Sequence, residues 1–380
     1  MEEIVMTRGA RITGNPVIYY QPVLSTCDGV IGVEALIRMV HPQRGVLPPA
    51  TFANALDHPR LARRIGCLVL DSVLAQGARW HRDGLPLRVA INVSARHLLD
   101  PEFLNDLRGA LAAHPGIAPE MCEIEVTESA PLLDFPRAQR TLRACNALGL
   151  RIALDDFGTG SASLSYLQKL PAQTIKVDRS FVRDILNDPR GFAIVAGVTA
   201  IAAMLGLNVV AEGVETASHF QLLETLECHV MQGYFFAKPM PADAVPAWVR
   251  SFDLSKYKSH LIPSARRISQ DVMNDGFLVA HDLRVVQCTK ALQGNGALPD
   301  RILGPEDEHR CHLGFWLARQ KNKYTIPTEI SRLHHRLHGI LREAHPLSPD
   351  SGQVASVEKE LVAVNERLMM RLRQWIRLRE

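Results

Sequence analysis

Between Pro16 and about Arg250 the chain alternates short β-branched or apolar runs with longer amphipathic ones. This alternation restricts the fold more than any other feature of the sequence. Candidate strands are Val17–Leu24, Val30–Met39, Arg88–Ser94, Cys122–Thr127, Arg151–Leu154, Thr174–Val177 and Asn208–Ala211, with a last one around His229–Gly233. Helical periodicity fills most of the intervals, as at Arg60–Asp83, Pro136–Leu148 and Gly191–Leu205. Strand and helix in alternation imply a parallel sheet. Eight strands over about 235 residues point to a closed (β/α)8 barrel rather than an open sheet. The first two strands lie close enough in sequence to pair as a hairpin, which would break the regular alternation.

After Trp248–Asp253 the character changes. Ser255–Glu380 has few strand-like runs, many Arg and Leu, and several His. Helical periodicity is clear at Ile330–Glu343 and Val357–Arg379, and Pro346–Gly352 supplies turn chemistry between them. The expectation is two domains, an α/β barrel over residues 1–253 and a smaller all-α bundle over 254–380. A chain of 380 residues with 47% hydrophobic content can bury both cores.

Charge and cysteine content exclude several classes. The net charge of +3 is spread among interleaved acids and bases, so no DNA-binding face is expected. Seven irregularly spaced cysteines argue against a disulfide framework and for a reducing cytoplasm. No run reaches the roughly 18 apolar residues of a membrane span. The opening MEEIVMTRGARITG lacks the apolar core of a secretion signal.

Polar residues stand at the ends of the candidate strands. Glu34 lies in Glu34-Ala35-Leu36, Asn92 ends Val89-Ala90-Ile91-Asn92, and Glu125 and Glu128 flank Val126-Thr127. Asp155 and Asp156 follow Ile152-Ala153-Leu154, Lys176 and Asp178 lie in Ile175-Lys176-Val177-Asp178, and Glu212 and Glu215 flank Gly213-Val214. A lone acid after a strand is ordinarily a helix cap or a solvated loop residue. Several acids converging on the C-terminal rim of a barrel are different, because they repel one another unless cations neutralise them. Carboxylates with one amide suit Mg²⁺ or Mn²⁺.

These segments, with Asn92-Val93-Ser94, Asp155-Asp156-Phe157-Gly158-Thr159-Gly160 and Gln232-Gly233-Tyr234, resemble the EAL family of cyclic di-GMP phosphodiesterases, in the family's order over nearly all of residues 16–250. The resemblance implies a modified TIM (β/α)8 barrel and hydrolysis of cyclic di-GMP to linear pGpG with two Mg²⁺ or Mn²⁺. Glu34, Asn92, Glu125 and Asp155 resemble ligands of the first metal. Asp155 would bridge to the second, with Asp156 and Glu212. Lys176 and Asp178 would hold or orient the attacking water; the sequence leaves open whether Lys176 stays a cation or titrates as a base. Gln21, Arg38, Glu215 and Gln232 match positions that support substrate or metals. Glu128 resembles the residue that pins the loop after Asp156, which in the family leads to a homodimer interface. The chain departs from the family at Ser161, usually Tyr, and at His229, usually Asp. It carries no Gly-Gly-Asp-Glu-Phe signature, so no cyclase partner domain is expected.

The C-terminal part contains Cys311-His312-Leu313-Gly314-Phe315-Trp316-Leu317 and, downstream, His334-His335-Arg336-Leu337-His338. His334 and His338 are four apart and so share one helix face, and His281 sits in a helical run upstream. Over roughly Ser269–Glu380 the pattern resembles the chemoreceptor zinc-binding (CZB) family. That likeness implies a four-helix bundle with one Zn²⁺ on His281, Cys311, His334 and His338, sensing zinc or oxidants, and a chemoreceptor or signalling partner. Arg284 stands where the family usually has Trp, which leaves His335, His309 and His312 as alternatives to His281. Two functions compete: a hydrolase regulated by its zinc module, and a non-catalytic cyclic di-GMP receptor or adaptor acting through protein contacts.

Overall fold

The computed structural model describes residues 14–52, 59–159, 167–258, 272–295, 307–321, 324–345 and 353–378. Ser161 lies outside the described residues, as do Pro346–Gly352 and residues 259–271. The chain divides into two compact units that do not follow chain order. The first comprises 1–179, 200–214 and 229–254; the second comprises 180–199, 215–228 and 255–380.

The first unit holds the sheet. Its strands are β1 (Asn15–Ser25), β2 (Gly29–His41), β3 (Gly45–Leu47), β4 (Arg88–Asn92), β5 (Cys122–Thr127), β6 (Arg151–Phe157), β7 (Thr174–Val177), β8 (Asn208–Ala211), β9 (Val230–Met231) and β10 (Met240–Pro241). Eight of these close into a ring in the order β1-β9-β8-β7-β6-β5-β4-β2, sealed by the β1–β2 pairing. Strands β2 and β4 to β9 run parallel, while β1 is antiparallel to both its neighbours. The expected hairpin is therefore the device that inverts one strand of an otherwise regular TIM barrel. Gly29, at φ 80°, supplies the left-handed turn between β1 and β2. The short β3 and β10 extend the sheet at its margins and carry no sequence signal of their own at three and two residues.

Strand interiors such as Val89, Ile91, Ile124, Val126, Ile152 and Ile175 are almost completely buried. The Pro59–Arg82 helix adds Val69, Leu70, Val73 and Leu74 to this core. Parallel strands covered by helices lose the in–out alternation of a half-exposed sheet, which is why they read as short continuous apolar runs.

The second unit is helical. The Val272–Leu292, His312–Gln320, Thr328–Ala344 and Val354–Arg377 helices pack through Leu278, Leu283, Leu313, Leu337, Leu341, Leu361, Leu368 and Leu372. Trp316 meets Trp375 edge-on at 5.9 Å between ring centroids. The Ala217–Thr225 helix packs against Val272–Leu292, and an added Cβ at Gly276 would crowd Phe192 at 2.7 Å and Leu226 at 2.8 Å. No helix among the described residues is long and apolar enough to cross a membrane.

Candidate active site

The parallel register brings the strand-end acids together. Asn92 is level with Glu125 across β4–β5, and Thr127 is level with Asp155 across β5–β6. Gln21 on β1 is level with Glu34 on β2. Four carboxylates surround the Lys176 ammonium: Glu212 at 2.6 Å, Glu125 at 2.9 Å, and Glu34 and Asp155 at 3.4 Å each. Lys176 is 1% exposed, Glu125 2% and Glu34 6%. Glu34 accepts from Asn92 Nδ2 at 2.7 Å on one oxygen and from Gln232 Nε2 at 2.7 Å on the other. Gln232 also donates to Gln21 Oε1 at 3.0 Å, and Gln21 donates to the Ala237 carbonyl.

One ammonium cannot balance four crowded carboxylates, and Glu34, Glu125 and Glu212 are shifted from their ordinary values. Burial works against ionised Glu34, but the Lys176 charge and the bonds from Asn92 and Gln232 win and hold its pKa below the usual value. Glu125 goes the other way: burial, reinforced by the charges of Glu34 and Asp155, pushes it well up. Burial likewise pushes Glu212 up to about 8, against the pull of Lys176. Burial also favours neutral Lys176, yet the surrounding acids raise it well above an ordinary lysine. Asp156 is raised by burial and by the charges of Asp155 and Asp178. Such a site holds protons that divalent cations would displace. The donor chemistry fits the expected metals: Glu34, Glu125 and Asp155 offer oxygens within 4.8 Å of one another, as do Asp155, Asp156 and Glu212.

Asp156 has φ 55°, a left-handed conformation that Asp adopts more readily than most residues. Its amide donates to Asp155 Oδ1 at 2.9 Å, which turns the chain sharply at the end of β6. Two residues on, Gly158 N donates to Glu128 Oε2 at 2.8 Å, so Glu128 holds the start of the loop after Asp156. Asp178 follows β7 and is half-buried, Arg38 lies half-buried on β2, and Glu215 is exposed, its amide donating to His219 Nδ1. His229 accepts from Thr26 N through its carbonyl and touches Thr26 Oγ1 through its ring at 3.4 Å.

The second unit brings together His281, Cys311 and His334, whose ligating atoms lie within 4.8 Å of one another. Cys311 Sγ is 3.1 Å from His334 Nε2, and the His338 ring stands 5.0 Å from the His334 ring. All four residues are at most 5% exposed. His281 Nε2 has no hydrogen-bond partner among the described residues, which is what a ligating nitrogen looks like without its ion. Burial, with the neighbouring His338, His312 and Arg284, depresses His281 to about 3. Burial and the other imidazoles depress His334 as well. Neutral imidazoles are the form that binds metal. Burial pushes the Cys311 thiol up to about 11. Cys311 caps the His312–Gln320 helix, its sulfur accepting from Gly314 N, and a Cβ at Gly314 would collide with the Glu308 carbonyl. That collision explains the Cys-x-x-Gly spacing. The alternative histidines lie elsewhere: His335 pairs with Glu308 at 2.7 Å, His309 is exposed, and His312 reaches the Ile185 carbonyl at 2.8 Å.

The sequence reading missed Asn365, which donates to Asp282 at 2.6 Å beside His281. Its signal was a polar residue in the buried stripe Leu361, Asn365, Leu368 and Leu372. A further grouping of Cys67, His97 and Asp106 is a closed helix–helix staple, because Arg63 occupies both Asp106 oxygens at 2.8 and 2.9 Å.

The barrel portion has clear relatives. It is 41% identical over 238 residues to an uncharacterized signaling protein of Caulobacter vibrioides, covering 62% of this chain and 29% of that protein. It is 40% identical over 234 residues to the cyclic di-GMP phosphodiesterase PA2567 of Pseudomonas aeruginosa, covering 61% of this chain and 40% of that protein. The chain thus spans less than half the length of these curated relatives. Among solved structures, the PaMucR phosphodiesterase in complex with c-di-GMP superposes with a TM-score of 0.58 at 37% identity, covering 60% of this chain and 94% of that one. The model of the EAL domain matches residues 6–239, and the chain belongs to the EAL domain family.

Proposed function

We propose that this protein hydrolyses cyclic di-GMP to linear pGpG at the acid-lined rim of its barrel. The observation that carries the reading is the convergence of Glu34, Glu125, Asp155 and Glu212 on one buried ammonium, with Asn92 and Gln232 holding both oxygens of Glu34. Relatives that are phosphodiesterases of this nucleotide by name support it. Glu34, Asn92, Glu125 and Asp155 would hold one divalent cation, and Asp155, Asp156 and Glu212 a second. Two such cations, when bound, offset the phosphodiester's charge, acidify water and stabilise the leaving oxygen.

The protein's own groups do the rest. Gln232 and Asn92 fix the Glu34 carboxylate, so that it need not reorganise when substrate enters. Lys176, kept cationic by the acids around it, stabilises negative charge developing on the phosphoryl oxygens, and Asp178 helps orient the attacking water. Gln21, Arg38 and Glu215 support substrate or metals. Glu128 holds the loop after Asp156 through Gly158, and pairing of two copies through that loop belongs to the same reading.

The second unit is a zinc module in this account: a four-helix bundle whose His281, Cys311, His334 and His338 bind one zinc ion and tune the hydrolase, with a signalling partner such as a chemoreceptor. The orphaned His281 nitrogen and the buried thiol beside His334 support it.

Product analysis after incubation with cyclic di-GMP and Mg²⁺ or Mn²⁺ tests the hydrolase reading, with linear pGpG expected. Ca²⁺ should support little turnover, being larger and content with looser geometry. Recovery of intact, bound nucleotide would favour the receptor instead.

A further inference from the structure

Two of the three elements that carry zinc-ligand candidates also reach one particular segment. Cys311 is followed by His312, which is fully buried and bonded through Nε2 to the Ile185 carbonyl at 2.8 Å. Three residues after His281 comes Arg284, 4% exposed, whose Nη1 donates to the Asn187 carbonyl at 3.3 Å. The receiving carbonyls lie just past the Arg179–Asp184 helix, which begins immediately after Asp178. Apolar packing backs the two bonds. Phe192 packs at a tilt against Phe277 with ring centroids 4.3 Å apart, the His312 ring meets Phe192 edge-on at 5.7 Å, and Gly276 leaves no room for a methyl group against Phe192. All these contacts lie within the second compact unit, which includes Ser180–Thr199.

A tetrahedral zinc site demands ligand atoms about 2.0–2.3 Å from the ion. Here the Cys311 and His334 donor atoms are 3.1 Å apart, closer than the edge of about 3.5 Å of such a tetrahedron, so filling the site draws these two buried side chains apart. Cys311 shares its backbone with His312, and His281 is one helical turn from Arg284. A close-packed interior transmits a shift of this kind rather than absorbing it. We propose that His312 and Arg284 are the joint through which filling of the His281–Cys311–His334 cluster reaches the segment that follows Asp178. The cluster thereby regulates the barrel along the chain of the same molecule, without needing a second copy. This rests on the zinc reading above and adds the residues that transmit it. It also gives a role to Arg284, which stands where the zinc family usually has Trp.

The test uses hydrogen–deuterium exchange on the full chain, zinc-free and zinc-loaded, with elemental analysis of each sample. Zinc should slow exchange of amides in 182–199 by about fivefold or more, the lower end of ordinary coupling, and should change the rate of cyclic di-GMP turnover. The His312→Phe/Arg284→Met double variant should bind as much zinc and lose both responses. If it does not fold by circular dichroism, Arg284→Met alone should bind zinc fully with the exchange response reduced. A zinc-loaded wild type with unchanged exchange at 182–199, or full protection in the folded variant, overturns the joint. Failure of the zinc reading looks different: no zinc on the wild type, or zinc retained by Cys311→Ala/His334→Ala, removes the cluster and the proposal with it.

Discussion

Lys176 Nζ lies 2.6 Å from Glu212 Oε1, and this contact joins the ends of adjacent strands β7 and β8 at the centre of the acid cluster. The lysine supplies the only cationic side chain within 4 Å of these acids among the described residues, so the carboxylates compete for it and for protons. Metal loading, protonation and stability are therefore one linked equilibrium.

The first prediction follows from that linkage. Glu212 has its carboxyl raised from 4.5 to about 8, chiefly by burial. A raised carboxyl binds more protons in the folded than in the unfolded chain, so its contribution to stability is present below the unfolded value and is lost as pH rises through the folded one. Without divalent cations, stability should fall between about pH 5 and pH 8, by no more than about 1.4 kcal/mol per pH unit for this one group, and Tm should fall with it. Mg²⁺ or Mn²⁺ should raise Tm, and more strongly at pH 8 than at pH 5. Thermal melts across that range read it; a metal effect that shrinks with rising pH would be the wrong sign.

Glu128 should matter out of proportion to its distance from any proposed ligand role. Its hydrogen bond to Gly158 N is part-buried and made to a carboxylate, a class worth about 1.5–3 kcal/mol. Glu128→Ala should lower turnover about 10- to 100-fold if that energy positions Asp156, with the far-ultraviolet circular dichroism spectrum unchanged. Wild-type kinetics in this variant would show that the loop needs no anchor.

Much of this was readable in the sequence, and the reasons differ by element. The strands of the ring were legible because burial on both faces makes them apolar runs, and the acids because each stands at a run's end. β9 falls inside the last expected strand, around His229–Gly233, whereas the two-residue β10 offers no period to detect. Nor did any motif announce that Lys176 bonds four acids, since that depends on the side chain pointing into the barrel. The composition of the second unit was hidden for another reason. Ser180–Thr199 joins it through long-range contacts such as His312 to Ile185, which leave no local trace.

The thiol of Cys311, pushed up to about 11 by burial, is protonated at neutral pH. Zinc binding as thiolate should therefore release about one proton, because the imidazoles beside it are already neutral. Titration calorimetry of full-length protein in buffers of different ionisation enthalpy measures this directly. Release of no proton would mean that zinc does not take the sulfur.

Gly314→Ala should disturb the proposed zinc site. The new methyl group collides with the Glu308 carbonyl and displaces the turn that places Cys311. Overpacking of this kind costs about 1–3 kcal/mol, and zinc content should fall with it. A variant with full zinc and unchanged Tm would show that the turn tolerates a side chain.

The central claim is tested most directly by measuring linear pGpG from cyclic di-GMP with Mg²⁺ or Mn²⁺ for the wild type and Glu34→Ala side by side. Glu34 is fixed by Asn92 and Gln232 and lies 3.4 Å from Lys176. The account predicts metal-dependent pGpG formation by the wild type and none by the folded variant. Undiminished pGpG from Glu34→Ala, or none from the wild type, would contradict it.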